Sequence, residues 1–217
     1  MKCEPLSGSA GRGFLTVCPE DAHGTDRKRQ DKRMEYKLEK GRPADTKGRL
    51  EKEIRVYDLL DQLNIPYMRV DHPASDTMEA CREIDDSLGA TICKNIFLCN
   101  RQETEFYLLM MEGNKIFKTK YLSQQLGCSR LSFAPPTYME AFLDIQPGAV
   151  SVMGLMNDSE CRVQLVMDRP IAESLEVGCH PCVSTASLKL KTKDIVERFL
   201  PAVEHTVIVV DLPYVEI

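Results

Sequence analysis

The 217-residue sequence predicts an α+β fold, with helices packed on a mixed β-sheet in a single domain. Three observations predict this fold class. The elements begin in the order helix, strand, helix; the remainder is mostly strands with helices between them; and strands and helices do not alternate strictly, as a parallel α/β sheet would require. The sequence contains no internal repeat. We therefore expect one folded domain over residues 45–217, preceded by an extension over residues 1–44.

Helical periodicity and boundary residues predict five helices. In the first of these, Ile54, Tyr57 and Leu60 recur at helical spacing, and Asn64-Ile65-Pro66 ends the pattern. Pairs resembling a capping box, Asp76 with Glu79 and Thr137 with Glu140, predict the start of two further helices. The predicted helices cover residues 45–63, 76–86, 121–126, 137–143 and 192–200.

Short apolar runs bounded by polar residues, Gly or Pro predict the strands. Two of these runs are separated by the polar segment 100–104, which indicates a hairpin. The predicted strands cover residues 67–70, 93–99, 106–111, 163–167, 183–190 and 207–210.

Composition limits the classes of protein that fit this chain. No apolar run approaches the roughly 18 residues of a membrane-spanning helix. Residues 1–33 lack the apolar stretch of a secretion signal, so we expect a cytoplasmic protein with no membrane partner and with reduced thiols. Gly, Ser and charged residues dominate this segment, which predicts disorder. Met34 follows it and is an alternative start of the protein.

Charge is distributed unevenly along the chain. Residues 1–50 carry 12 Lys and Arg against 8 Asp and Glu, whereas the whole chain has a net charge of −5. Proteins that bind nucleic acid usually present a basic field to the phosphates. The acidic body of this chain does not, so any nucleic-acid contact must use a local patch or the basic N-terminal arm.

Familiar catalytic signatures are absent, including the nucleophile elbow Gly-x-Ser-x-Gly and the phosphate-binding Walker A motif. The segment Cys179-His180-Pro181-Cys182 could be a redox pair or half of a zinc site. A second such pair is missing, and a strand is predicted to follow it where a redox motif would open a helix. We therefore interpret these cysteines as buried apolar residues, and we expect neither a metal nor a cofactor.

Two segments could carry chemistry. Lys94 stands near the start of the apolar strand 93–99. There it either extends its amine to the surface or places its own positive charge at the edge of a pocket. Gly148 stands in the loop 148–152, where it either supplies a turn or lets backbone N–H groups approach a ligand carbonyl. The residues alone leave these alternatives open.

Together these segments resemble the YbaK-like aminoacyl-tRNA editing domains, and in particular the freestanding prolyl-tRNA editing branch. The resemblance covers about residues 47–211. It rests on the order and spacing of four motifs, namely Tyr67…His72-Pro73…Thr77-Met78-Glu79-Ala80, Cys93-Lys94-Asn95-Ile96-Phe97-Leu98, Gly148-Ala149-Val150-Ser151-Val152 and His180-Pro181-Cys182-Val183-Ser184-Thr185-Ala186.

The resemblance implies a mixed, mostly antiparallel curved sheet flanked by helices, and hydrolysis of an aminoacyl ester without a metal. Lys94 matches the essential lysine of the family and is the expected catalytic residue. The residues expected to bind the substrate are Asn95, Gly148, Val150, Ser151, Val152, His180, Thr185, His72 and Thr77. Val152 replaces the proline of the family's loop and Ser184 replaces an asparagine, so the amino-acid preference is the property that these departures affect.

We therefore expect a trans-editing deacylase that clears mischarged tRNA(Pro), with alanine as the expected amino acid because the Lys94-Asn95 pair matches the alanine-clearing branch. Cysteine or another small residue is an alternative. Prolyl-tRNA synthetase is a second expected partner, and we favour a monomer. A tRNA- or synthetase-associated binding module without catalysis is the competing interpretation.

Overall fold

The computed structural model describes residues 36–74, 78–90 and 92–215, all within the compact unit Arg33–Ile217. Within these described ranges, nine strands form two sheets. The strands are β1 (Leu38–Lys40), β2 (Tyr67–Asp71), β3 (Lys94–Cys99), β4 (Phe106–Met111), β5 (Ser132–Phe133), β6 (Val163–Asp168), β7 (Glu176–Cys179), β8 (Ala186–Lys191) and β9 (Val207–Val210).

Helices connect these strands at most of the crossovers. They are α1 (Glu51–Gln62), α2 (Met78–Leu88), α3 (Thr119–Leu126), α4 (Pro136–Leu143), a 3₁₀ helix (Val152–Asn157), α5 (Arg169–Ala172), and a C-terminal helical stretch made of α6 (Thr192–Asp194), a π-helix (Ile195–Phe199) and α7 (Leu200–Ala202). Within the described residues, no helix is both long and apolar enough to cross a bilayer.

The α+β class is confirmed, but the strands form two sheets where the sequence predicts one. The first sheet has the order β1-β2-β8-β7 and is antiparallel throughout. The second has the order β5-β3-β4-β6-β9, in which β4, β6 and β9 run parallel. Parallel pairing requires long crossovers, which the helices between these strands provide.

The central strands of the five-stranded sheet, β3, β4 and β6, are buried on both faces over most of their length. Alternate residues of β3 and β4 belong to two apolar clusters: Phe97 and Leu108 lie in the larger one, whereas Leu98 and Leu109 lie in the smaller one with α3. Strands covered on both faces appear as continuous apolar runs. This is why the segments around Lys94 are conspicuous in the sequence.

Paired structure in the described residues begins before residue 45, where the folded domain is predicted to start. Strand β1 pairs with β2 and places Glu39 beside the guanidinium of Arg69, with 2.5 Å between the charged atoms. Arg69 is 2% exposed, and a buried cation of this kind requires a carboxylate partner. All positions of the extension before Tyr36 lie outside the described part of the chain, so its predicted disorder stays a prediction.

Several local boundaries also differ from the prediction. The helix predicted from residue 45 begins at Glu51, and the strand predicted from residue 183 begins at Ala186. Helix α4 begins at Pro136 with no side-chain cap, so Thr137 and Glu140 do not form a capping box. A proline is well accommodated in a first helical turn, because its missing N–H would have no partner there.

Candidate active site

The N-terminal end of β3 meets the other sheet at β7. Ile92 forms an isolated parallel bridge with Gly178, and the N–H of Cys93 donates to the Gly178 carbonyl over 3.0 Å. A Cβ atom on Gly178 would lie only 2.9 Å from the Cα of Ile92, so glycine permits this approach. The contact places Lys94, the first residue of β3, at the junction of the two sheets.

Lys94 lines a cavity of about 670 Å³ together with three other predicted site residues, Asn95, Gly148 and Val150. The remaining walls come from β3 itself, from the segment after β4, from β5 and the residue after it, from α4, and from the residue before Gly148. They consist of Ile96, Phe97, Gly113, Asn114, Lys115, Ile116, Phe117, Phe133, Ala134, Met139 and Pro147. The structure thus brings the β3 lysine and the 148–150 turn to one cavity.

Lys94 is the cation that this cavity presents to a ligand. Its side chain is exposed, and it forms no ion pair or hydrogen bond with any described residue. The other lysine in the wall, Lys115, is buried and bonded to Asp168 over 2.7 Å. No carboxylate, histidine or cysteine occurs among the described residues of the wall. The site is therefore suited to an anion or a developing oxyanion, and not to side-chain base catalysis.

The turn at Gly148 offers backbone donors to the same cavity. Gly148 has a φ of +92°, which strongly favours glycine, although a Cβ there would meet open space. The N–H of Ala149 donates to the Gln146 carbonyl over 3.1 Å. The N–H groups of Gly148 and Val150 have no acceptor among the described residues. Two lining residues therefore retain donors for a substrate oxygen.

Asn95 carries an unpaired acceptor. Its Nδ2 donates to the Cys93 carbonyl over 3.1 Å, whereas its Oδ1 is buried and lacks a partner in the described structure. A buried acceptor without a hydrogen bond is costly, so the site favours a ligand that supplies a donor.

Ser151 and Val152 are fully buried and do not line the cavity. The hydroxyl of Ser151 caps the 3₁₀ helix by accepting a hydrogen bond from the N–H of Met153 over 3.2 Å. Val152 packs in the larger apolar cluster. In this structure, both side chains lie in the protein interior and stabilise the loop without facing the cavity.

His72 and His180 also lie away from the cavity walls and form a cluster with Ser187. His72 Nδ1 donates to the Pro73 carbonyl over 2.9 Å, which leaves Nε2 to accept from the Ser187 hydroxyl over 2.8 Å. His180 Nδ1 donates to the Ala186 carbonyl over 2.8 Å, and the two imidazole centres are 6.1 Å apart. Burial lowers the pKa of each histidine, so both are held neutral.

Thr185 lines a separate small cavity of about 140 Å³ behind the loop, with Ser184, Pro147 and Ala149 also in its wall. The Thr185 carbonyl accepts from the N–H of His72 over 3.0 Å. The predicted contribution of Thr77 concerns a residue outside the described part of the chain.

The two cysteines of the segment 179–182 pack in the apolar core. Cys179 and Cys182 are both buried, and desolvation raises the pKa of each thiol to about 12. A thiol of this kind is protonated at neutral pH and is a poor nucleophile and metal ligand. This supports the interpretation of the two cysteines as apolar core residues.

The sequence motifs do not identify the aromatic and amide part of the wall, which includes Asn114, Phe117 and Phe133. One signal was available. The hairpin pairs Lys94 with Met111, so the residues that follow Met111 must pass beside the lysine. Phe133 has no comparable signal, because it reaches the cavity through the two-residue pairing of β5 with β3.

A family model described as the aminoacyl-tRNA editing domain matches residues 72–197, more than half of the chain. The chain belongs to the aminoacyl-tRNA editing domain family. The matched range contains Lys94, the loop at Gly148 and His180. The resemblance found in the sequence is thereby confirmed, and so is the predicted enzyme class, an aminoacyl-tRNA deacylase.

Two curated relatives of this editing domain cover most of its length. The prolyl-tRNA editing protein ProX of Acetoanaerobium sticklandii is 29% identical over 153 residues, which is 70% of this chain and 93% of the relative. Prolyl-tRNA synthetase associated domain-containing protein 1 of Danio rerio is 27% identical over 182 residues, which is 83% of this chain and 97% of the relative.

Solved structures support the same fold. A crystal structure described as a candidate trans-editing enzyme for prolyl-tRNA synthetase superposes with a TM-score of 0.57 at 16% identity, over 76% of this chain and 99% of that one. A hypothetical protein, APE2540, gives a TM-score of 0.54 at 14% identity, over 71% of this chain and 96% of that one. At these identities the likeness concerns the fold alone.

Proposed function

We propose that this editing domain acts in trans on mischarged tRNA(Pro) and hydrolyses the ester of alanine. The observation that carries the proposal is the cavity in which Lys94, without an ion-pair partner in the described structure, lies with the 148–150 turn. The names of the curated relatives support tRNA(Pro) as the substrate. The Lys94-Asn95 pair and the need for a second sieve against small amino acids support alanine.

The proposed chemistry is direct attack by water. The water oxygen adds to the ester carbonyl, and the negative charge develops on the former carbonyl oxygen. The ammonium of Lys94 and the N–H groups of Gly148 and Val150 stabilise that charge. The bond to the ribose oxygen then breaks, and that oxygen takes the proton that the water has lost. Because the described cavity wall holds no histidine or carboxylate, a substrate hydroxyl is the proposed relay for this proton.

Asn95 is the proposed contact for the substrate's own donors. Its unpaired Oδ1 is suited to an ammonium or hydroxyl hydrogen of the aminoacyl-adenosine end. We propose that His72, His180, Ser151, Val152 and Thr185 act indirectly, by holding the loops that shape the cavity. Prolyl-tRNA synthetase is the proposed source of the mischarged tRNA, in a cytoplasmic setting, with the chain acting as a monomer.

The test is a set of tRNA(Pro) molecules charged with labelled alanine, cysteine or proline and incubated with the protein. We expect rapid loss of alanine, with proline retained at the rate of spontaneous hydrolysis. Faster loss of cysteine than of alanine would refute the alanine assignment. Tight tRNA binding without loss of any label would refute catalysis and favour the binding module.

A further inference from the structure

Phe133 is an unusually exposed aromatic residue at the mouth of the candidate active site. Its side chain is 71% exposed, and it lies on β5, the edge strand that pairs with the far end of β3. It lines the Lys94 cavity and also a neighbouring cavity of about 510 Å³. Phe133 therefore forms the boundary between the two cavities.

The neighbouring cavity is lined by two arginines, Arg101 and Arg130. Neither forms an ion pair with a described residue, and both are exposed. One carboxylate, that of Glu103, lies among the described lining residues, and its proximity raises the pKa of Tyr138. The cavity thus holds cations that the protein itself leaves available.

In the described part of the chain, seven of the ten arginines have a carboxylate partner, so an unpaired arginine is the minority case there. Paired cations include Lys37, Arg42, Arg49, Lys52, Arg55, Arg69, Lys115, Arg162, Arg169, Lys189, Lys193 and Arg198. Lys118, which immediately precedes the lining residue Thr119, is also without an ion-pair partner among the described residues. Phe133, Arg101, Arg130 and Lys118 together form a surface that is locally basic, although the chain is acidic overall.

The surface has a direction and a length. Strand β3 carries Lys94 at its first residue, and Arg101 lies two residues after its last residue, Cys99. Six residues in a strand extend about 17 Å. An exposed aromatic ring between unpaired cations is the usual arrangement for single-stranded nucleic acid, in which bases stack and phosphates lie beside the cations. A span of this length exceeds a single nucleotide.

We propose that the unpaired 3′ segment of the tRNA, just before its terminal adenosine, binds along this surface. A base stacks on Phe133, and the backbone phosphates lie beside Arg101 and Arg130. The inference rests on the proposed function, since it requires the terminal adenosine and its aminoacyl group to occupy the Lys94 cavity. The surface provides the local basic patch that the acidic body otherwise lacks.

The first test compares two substrates, alanyl-tRNA(Pro) and alanyl-adenosine, which lacks the upstream nucleotides. Phe133→Ala should lower kcat/KM for the tRNA by about 5- to 150-fold, the range that loss of one stacked base produces. Because Phe133 also lines the Lys94 cavity, kcat/KM for alanyl-adenosine should fall by a smaller factor, whereas Arg130→Ala, which changes only the neighbouring cavity, should leave it unchanged. Leu175→Ala and Lys191→Ala are the controls, because they remove an exposed apolar side chain and an exposed lysine from a different cavity. An equal loss on both substrates, or no loss on the tRNA, would overturn the proposal.

The second test does not depend on hydrolysis. Binding of an uncharged RNA minihelix is measured with and without its unpaired 3′ nucleotides. Phe133→Ala should weaken only the binding of the complete minihelix. Replacing Arg101 and Arg130 with Ala should reduce the slope of log affinity against log salt by about 0.7 per lost phosphate contact. Equal weakening for the shortened minihelix would overturn the proposed contact, whether or not the protein is a deacylase.

Discussion

The buried pair of Lys115 and Asp168 holds the cavity wall to the C-terminal segment, and its removal gives a quantitative prediction. The two side chains are 1% and 0% exposed, and their charged atoms are 2.7 Å apart. Lys115 also donates to the Leu212 carbonyl over 2.8 Å, and its ammonium lies 4.3 Å from the ring centre of Tyr214. Asp168 accepts from the N–H of Leu212 over 3.0 Å. The pair thus joins the end of β6, the wall segment and the chain after β9.

Asp168→Asn removes the negative charge and leaves a carbonyl oxygen that can still accept from Leu212. Loss of one partner from a buried ion pair costs about 3–5 kcal/mol. Because the ammonium keeps its bond to the Leu212 carbonyl, we expect a loss near the lower limit, about 3 kcal/mol in the free energy of unfolding. Urea denaturation followed by circular dichroism measures this loss.

The matched control is Asp211→Asn, which makes the same chemical change nearby. Asp211 is 71% exposed and bonded to Arg169 over 3.3 Å, so its replacement should cost less than about 1 kcal/mol. If the two variants unfold at the same urea concentration, the buried pair does not stabilise the fold, and the reasoning is refuted.

Three further predictions concern the loop, the pH dependence of stability and the thiols. Gly148→Ala places a Cβ in the left-handed region, so we expect a loss of about 1–2 kcal/mol in urea denaturation and slower deacylation; unchanged values would contradict the role of the turn. The hydrogen bond to Asp158 raises the pKa of His205, so the stabilisation is complete below the unfolded value of about 6.5 and disappears as pH rises through the folded value. The stability difference between wild type and His205→Gln should therefore shrink as the pH is raised; a constant difference would exclude the pair. Iodoacetamide at pH 8 should modify the exposed Cys161 and spare the buried Cys179 in the native protein, as mass spectrometry would detect; modification of both would contradict the packing role.

The local part of the fold could be predicted from the sequence, because apolar periodicity and turn residues act over a few positions. The hairpin of β3 and β4 is an example, since two apolar runs flank a short polar turn. Strand β1 could not be predicted in this way. It is three residues long, and it is held by the contact between Glu39 and Arg69, which are 30 positions apart.

In the candidate site, too, the residues that local motifs mark could be predicted, and those brought in by long-range strand pairing could not. Lys94 and Gly148 were found through motifs, and both line the cavity. Ser151 and Val152 belong to the same motif, yet the turn at Gly148 is followed directly by a buried helix start, which takes both side chains into the core. Phe133 and Asn114 come from distant segments and meet Lys94 only through strand register.

The central claim is that the amine of Lys94 stabilises charge in the reaction that this cavity supports. Single-turnover deacylation of alanyl-tRNA(Pro) tests it most directly, with Lys94→Ala compared with wild type and with Lys191→Ala as the control lysine. Loss of one such electrostatic contact should slow the reaction by about 100- to 1,000-fold, with the unfolding curve unchanged. A Lys94→Ala protein that deacylates at the wild-type rate would contradict the claim.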